Sequence, residues 1–242
     1  PYTLAGTVAL GHAEVLAVVV AAQAITPGLP ILSQNTPSIA DMRSMASTTG
    51  GPETGLLRAA ATQVAQAVGL PGCAHGHTSS ARVDFQAAEE KALNGLLIAA
   101  ARPAVLGGMG ALANVTLTSY ETLVLDNERY GALKRILEGV QTDADHLAFD
   151  VIAGLARGGT AMDSLHTLRH LRSREVWQPK LALRQGVVNG LPPAETSLER
   201  ARAETQRLLA SHRVPPLAPE VQRELDAIVE RYAAAAGGRP AH

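Results

Sequence analysis

The sequence holds a single cysteine, Cys73, so no disulfide can close within the chain and a fold built on disulfide staples is excluded. A lone thiol suits a reducing cytosol, and a cytoplasmic location is the expectation. Aromatic residues make up only 3%, with one Trp and two Phe, so platforms for stacking nucleobases are scarce. Charge of one sign is also lacking: 21 Lys and Arg against 22 Asp and Glu leave a formal net charge of −1. Neither a nucleic-acid partner nor an anionic membrane surface is expected from that balance. Long apolar runs are missing too. The most apolar stretch, from Val15 to Ile25, is about eleven residues long and interrupted by Gln23, short of the roughly 20 that a membrane helix needs. The opening Pro1-Tyr2-Thr3 shows neither Met nor a basic leader, and further sequence is expected upstream of it.

What is present is a chain of 242 residues, 46% of them hydrophobic, enough for one sizeable core. Abundant Ala and Leu favour helices. Thr3 is positioned to cap a helix reaching about residue 24, stopped by Pro27-Gly28. Residues 31–33 read as a short buried strand and 34–51 as a long loop. Pro52 and Glu53 start a second helix that ends near Gly69, and Cys73 to His75 read as a second strand. Asp84 opens a third helix to about residue 100, residues 103–107 form a third strand, and Ser119 caps a fourth helix to Glu138. After that come only helices: one from Asp143 to about residue 156, one over 164–174, and two charged tail helices over 197–211 and 219–236. The tail helices are joined by Val214-Pro-Pro-Leu217, and the last six residues are expected to fray.

Strand, loop and helix therefore recur at intervals of roughly 35 residues, the rhythm of a parallel barrel. Three strands cannot close such a barrel, which takes about eight. The predicted fold class is α/β: a partial TIM (β/α)8 barrel made of C-terminal β/α units over residues 1–140, followed by a helical C-terminal extension over 141–242. A small open α/β sheet, of the kind that binds sugars or nucleotides, is the rival. Open strand edges also lead to an expectation of self-association.

In a barrel the chemistry lies in the loops after the strands, here 34–51, 76–83 and 107–118. They are rich in Gly, Ser, Thr and Asn. His75-Gly-His77 is half a metal site without partners, so His77 is read as a polar residue beside a substrate and no metal is expected. Asp84, Gln86 and Glu90 share the first two turns of one helix. Asp84 and Glu90 point in different directions there, which argues against a carboxylate pair for acid–base work. Asp84 is read as a helix cap, and Glu90 as a partner for Gln86. His166 and His170 stand at i and i+4 on one helix face, but Thr167 occupies the place of the zincin Glu. They are read, with Arg169, as docking residues. No nucleophile elbow, phosphate loop or dinucleotide fingerprint appears.

Five strings carry a further signal. They are Pro37-Ser-Ile-Ala-Asp-Met-Arg43, Asp84-Phe-Gln-Ala-Ala-Glu-Glu-Lys91, Leu117-Thr-Ser-Tyr-Glu-Thr-Leu-Val-Leu-Asp126, Asp150-Val-Ile-Ala153 with Gly158-Gly159, and His166-Thr-Leu-Arg-His170 followed by Trp177-Gln-Pro-Lys180. In this order they resemble the C-terminal half of the trimethylamine methyltransferase family, in its branch lacking pyrrolysine. The resemblance implies a TIM barrel with extra C-terminal helices. It also implies transfer of a methyl group from a methylated amine to the low-valent cobalt of a corrinoid (cobalamin) on a partner protein, with no cofactor bound directly. Such a reaction asks for positioning and charge balance more than proton transfer. The residues expected to line the site are His77, Asp84, Gln86 and Tyr120, with Asp84 and Gln86 ordering the loop or meeting a cationic head group. Tyr120 and Phe85 are the aromatic rings nearest the loops. Where many members carry His and Glu in their glycine loop, this chain has Gly107 and Ala113. Where many read Thr-Asp-x-Lys, it has Thr78-Ser-Ser-Ala81.

Overall fold

Side chains able to satisfy the free N–H groups of a first turn decide where most of the helices begin. A computed structural model describes residues 2–184, 186–187, 191 and 193–235. In it Thr3 accepts from Gly6 N at the start of α1 (Leu4–Ile25), and Asp84 accepts from Ala87 N at the start of α3 (Phe85–Ala100). Ser119 accepts from Thr122 N at α4 (Tyr120–Glu138), and Asp143 from Asp145 N and His146 N at α5 (Ala144–Leu147). Helix α2 (Pro52–Ala67) instead uses proline in its first turn, where a missing N–H costs nothing.

Strand β3 (Cys73–His75) pairs in parallel with β4 (Val105–Gly107), Cys73 lying opposite Val105 and His75 opposite Gly107. On its N-terminal side the same line pairs Gly72 with Ser33, also parallel. The predicted strand over 31–33 is reduced to that one bridge. Each of the three segments is followed by a helix, and α1 packs on α2, α2 on α3 and α3 on α4. Buried positions follow helical spacing: Leu57, Ala61 and Ala65 on α2; Ala87, Lys91, Asn94 and Ile98 on α3. The apolar interior is small-grained, with Ala61, Ala65, Ala74 and Ala99 around Leu57 and Ile98. Among the described residues the parallel segments close no barrel.

Four predicted boundaries change. The 34–51 loop holds an antiparallel hairpin, β1 (Ile39–Asp41) with β2 (Ala46–Thr48), turned where the Asp41 carboxylate accepts from Arg43 N and Ser44 Oγ. The glycine loop holds a second one, β5 (Ala111–Leu112) with β6 (Leu117–Thr118). Strands of two or three residues are too short to show alternation in sequence. The single helix expected from Asp143 breaks at Ala148, whose φ of 50° is left-handed, giving α5 and α6 (Phe149–Ala156). The helix expected over 164–174 is shorter, α7 (Leu165–Leu171). Helix α1 is also longer than the apolar run read from sequence, because Ala, Gly and Thr continue it toward the N-terminus. By length and composition its 22 residues could cross a membrane, and along it only Val8 is buried.

The chain divides into two compact units, Pro1–Thr205 and Gln206–His242. Helix α8 (Ser197–Ser211) runs across that boundary in sequence. The second unit carries α9 (Pro219–Ala235), none of whose described residues is buried. The predicted frayed tail lies outside the described residues.

Candidate functional site

The three loops that follow the parallel segments converge on a hydrogen-bonded knot. Asn114 Oδ1 accepts from Thr49 N (2.9 Å), Thr49 Oγ1 (3.0 Å) and Ser79 Oγ (2.9 Å), so one side chain holds all three loops. Ser79 Oγ accepts in turn from Gly50 N at 3.0 Å. Asn94, buried on α3, donates to Gly50 O at 3.0 Å. The knot holds an unusual backbone: Ala113, Asn114 and Val115 are all left-handed, with φ of 48°, 54° and 74°. Such a conformation costs of order 1–3 kcal/mol at a non-glycine residue and is least tolerable at β-branched Val115. Ala113 N donates to Ser80 O and Asn114 N to Thr78 O, which fixes the turn in place.

Glu90 holds the middle loop from below. Its Oε2 accepts from Thr78 Oγ1 (2.5 Å) and Ser79 N (2.8 Å), and its Oε1 from Gln86 Nε2 (2.8 Å). Asp84 secures the other end of that loop, accepting from Ser80 Oγ at 2.9 Å while capping α3. These hydrogen bonds, led by the one from Ala87 N, hold the Asp84 carboxyl below the usual carboxylate range.

Beneath the knot lies a layer of buried charge. The Arg58 guanidinium, pulled down to about 10 by burial, donates to His75 O (2.5 Å) and to His77 Nδ1 (3.2 Å). A guanidinium only donates, so His77 carries its proton on Nε2. Burial first, then the charges of Arg58, His75 and Lys91, lower His77 to about 3, so it is neutral at physiological pH. The His75 and His77 rings stack at 5.4 Å and lie against Gly107 and Gly108. A Cβ on Gly108, where φ is +97°, would come within 2.8 Å of Gly76 O and 3.0 Å of His77 Nε2; only glycine fits there.

The glycine loop is held from α3 and α4. Lys91 Nζ donates to Gly108 O (3.0 Å) and pairs with Asp126 (2.7 Å); the two side chains are 2% and 1% exposed. Asp126 Oδ2 also accepts from Gly110 N, and Arg129 completes the pair on Oδ1. Burial, reinforced by Arg129, lowers Lys91 to about 7. Tyr130 donates its hydroxyl to Gly107 O, and burial raises that phenol to about 12.

Of the four residues expected from sequence, His77, Asp84 and Gln86 attach to this assembly. Asp84 and Gln86 act on the middle loop, directly and through Glu90. Tyr120 stands apart at the start of α4, 60% exposed. Arg58, Lys91, Asn94, Asn114 and Asp126 were not foreseen. Three of them left a trace, since Lys91 and Asn94 fall in the buried stripe of α3, and Asp126 follows Thr122 by one turn in that of α4. A mostly apolar cleft of about 720 Å³ opens between α3, α4 and residues 177–184, bordered by Phe85, Leu125 and Trp177 and lined also by Lys91 and Arg129 of the buried charge cluster. It touches Asp84 but not His77, Gln86 or Tyr120.

Known proteins resemble this chain along nearly its whole length. It is 34% identical over 233 residues to a glycine betaine methyltransferase of Desulfitobacterium hafniense strain Y51, covering 95% of this chain and 48% of that protein. It is 32% identical over 230 residues to the trimethylamine methyltransferase MttB of Desulfitobacterium hafniense strain DSM 10664 / DCB-2, covering 94% and 46%. The Methanosarcina barkeri trimethylamine methyltransferase MttB is 29% identical over 234 residues, covering 96% and 47%. The chain thus spans about half the length of the curated relatives it matches. The model of the trimethylamine methyltransferase family matches residues 1–237, and the chain belongs to that family.

Proposed function

We propose that this chain forms the C-terminal part of a (β/α)8 barrel, with a helical extension, in a cytoplasmic methyltransferase. The enzyme would move a methyl group from a tertiary or quaternary amine, such as trimethylamine or a betaine, to the cobalt of a corrinoid carried by a partner protein. The family match across residues 1–237 carries this reading. Three parallel segments, each followed by a helix, and loops gathered at one end are what such a barrel segment requires.

The chemistry divides simply. The corrinoid, as methyl acceptor, supplies the nucleophile. The methyl group leaves nitrogen, the C–N electron pair stays on nitrogen, and a quaternary cation becomes a neutral amine. No proton has to move for a quaternary substrate; a tertiary amine has to react as its protonated ammonium, so that the leaving group is again a neutral amine. The residues of this chain accordingly hold geometry: Asn114, Glu90 and Asp84 fix the loops, and His77 presents a neutral N–H. Asp84 and Gln86 set the loop edge that meets the cationic head group, while Tyr120, exposed at the start of α4, offers an aromatic face only to a substrate that reaches beyond that edge.

The assay mixes the complete barrel, of which this chain is the proposed C-terminal part, with cob(I)alamin and a panel of methylamines and betaines, and follows methylcobalamin by its visible absorbance. Product with at least one member is expected. Tyr120→Ala, at an exposed position, is expected to raise KM without lowering Tm.

One observation favours a second reading. Where many family members carry a histidine, a side chain at Gly107 would strike the His75 imidazole. Such a site fits a non-catalytic relative that docks a corrinoid protein or a complementary N-terminal half. Capture of a corrinoid protein without turnover of any panel member would select this reading over the first.

A further inference from the structure

The helices after α4 bring together imidazoles and a carboxylate that methyl transfer does not use. His166 and His170 lie one turn apart on α7, with ring centroids 4.3 Å apart. Both face Asp145 on α5. His170 Nε2 lies 3.0 Å from Asp145 Oδ2, and His166 Nε2 lies 2.8 Å from the Asp145 carbonyl oxygen. One nitrogen from each histidine and one Asp145 carboxylate oxygen all lie within 4.8 Å of one another.

We propose that Asp145, His166 and His170 form a binding site for a zinc-like divalent transition metal that ties α5 to α7. Bonds of about 2.0–2.1 Å in tetrahedral geometry place ligand atoms about 3.3 Å apart. The Asp145–His170 spacing is already close to that. Drawing in His166, partly exposed, exchanges its 2.8 Å hydrogen bond to the Asp145 carbonyl oxygen for a bond to the metal. Two imidazoles and one carboxylate are a zinc ligand set that leaves the fourth position to water. Carboxylates flank the cluster, and one cation, Arg169, faces Asp145. His146, edge-on to His170 at 4.9 Å, holds Asp143 through Nδ1 at 2.6 Å, and its Nε2 faces Glu175 at 3.9 Å. Arg169 Nη2, 3.0 Å from Asp145 Oδ1, holds the carboxylate in orientation from the solvent side.

The segment also has a use for a cross-link. From Lys134 to Lys180 no residue is buried, and α5 and α7 have only four and seven residues. Helices that short do not persist on their own. A metal joining positions 145, 166 and 170 would hold them as small domains with thin cores are held. The inference is independent of the methyltransferase reading.

The test titrates the 242-residue chain, freed of metal by a chelator, with Zn2+ in a calorimeter. Co2+ is titrated in parallel while its visible ligand-field absorption is recorded. One equivalent is expected to bind, with intense absorption between 500 and 700 nm from Co2+ in a tetrahedral field (roughly the range for mixed nitrogen and oxygen ligands). His166→Ala and His170→Ala are each expected to weaken Zn2+ binding by at least about 10-fold. His212→Ala, remote in sequence, should leave it unchanged. His170→Gln keeps a hydrogen-bond donor for Asp145 while removing the ligand. It should fold like the parent by circular dichroism yet lose the rise in Tm that Zn2+ gives the parent. The proposal is overturned if no stoichiometric Zn2+ binding occurs, or if His170→Gln binds Zn2+ as tightly as the parent.

Discussion

Residues 2–133 and residues 134–180 belong to one compact unit but are held together differently. In the first stretch, α2 and α3 carry regular buried stripes and pack on the parallel strand segments, and even the charges, Lys91 with Asp126, lie inside. In the second, no side chain is buried, and the contacts are polar and peripheral. Arg135 donates to Glu175 O and Asp145 gathers the α7 histidines, while Glu128 of the first stretch ties the end of the second and the residues just after it by accepting from the N–H groups of Lys180, Leu181 and Ala182. A dry interior makes each member costly to remove. A surface lacing spreads its stabilisation over many weak contacts.

The sharpest way to break this contrast is Asp126→Ala. It leaves Lys91 and Arg129 without their carboxylate and frees Gly110 N, and the expected loss is about 3–5 kcal/mol of unfolding free energy in urea. Next comes Gly108→Ala, where a left-handed φ and the crowded His77 ring combine; a loss of about 1–3 kcal/mol is expected, seen as a lower Tm. The pH dependence should follow His77. Its proton affinity is depressed in the fold, so between roughly pH 6.5 and 3 the unfolded chain binds a proton that the native chain does not. That contribution to stability is complete above pH 6.5 and is lost as pH falls toward 3. His77→Gln should flatten that part of the Tm profile; an unchanged profile would show that His77 is not held neutral. The smallest global effect belongs to the laced region. Glu128→Ala should change unfolding free energy by less than about 1 kcal/mol, yet speed amide exchange at residues 180–182. A loss as large as that of Asp126→Ala would erase the distinction between the two regions.

The sequence was readable where structure is local. Thr3, Asp84, Ser119 and Asp143 cap helices as their positions foretell, because a cap involves only the next three residues. Strand β3 was visible because it is short, buried and bounded by Pro71-Gly72 and Gly76. The β1–β2 and β5–β6 hairpins were not, since so few residues carry no periodicity. The break at Ala148 was hidden because alanine, the strongest helix former, gives no sign that a helix stops there. At the candidate site, Asp84 and the Gln86–Glu90 pair were legible as neighbours on one helix. The Lys91–Asp126 pair joins residues 35 apart, and the Asn114 knot joins loops 65 apart. Only polar residues in buried stripes, Lys91 and Asn94 on α3 and Asp126 on α4, hinted at either.

One contact of the laced region has a practical consequence. Trp177 is the only tryptophan, and its ring rests on Gly131 of α4, so closely that a side chain there would collide with it. The intrinsic fluorescence of the chain therefore reports from a single place, the seam where residues 177–184 lie on α4. Excitation at 295 nm (roughly the red edge, where tyrosine scarcely absorbs) reads that seam alone. Its emission will shift toward water-like wavelengths when the seam opens, while far-ultraviolet ellipticity follows the helices as a whole. If the two signals move together on heating, lacing and interior melt as one cooperative body; if the fluorescence moves first, the seam is the weaker foldon.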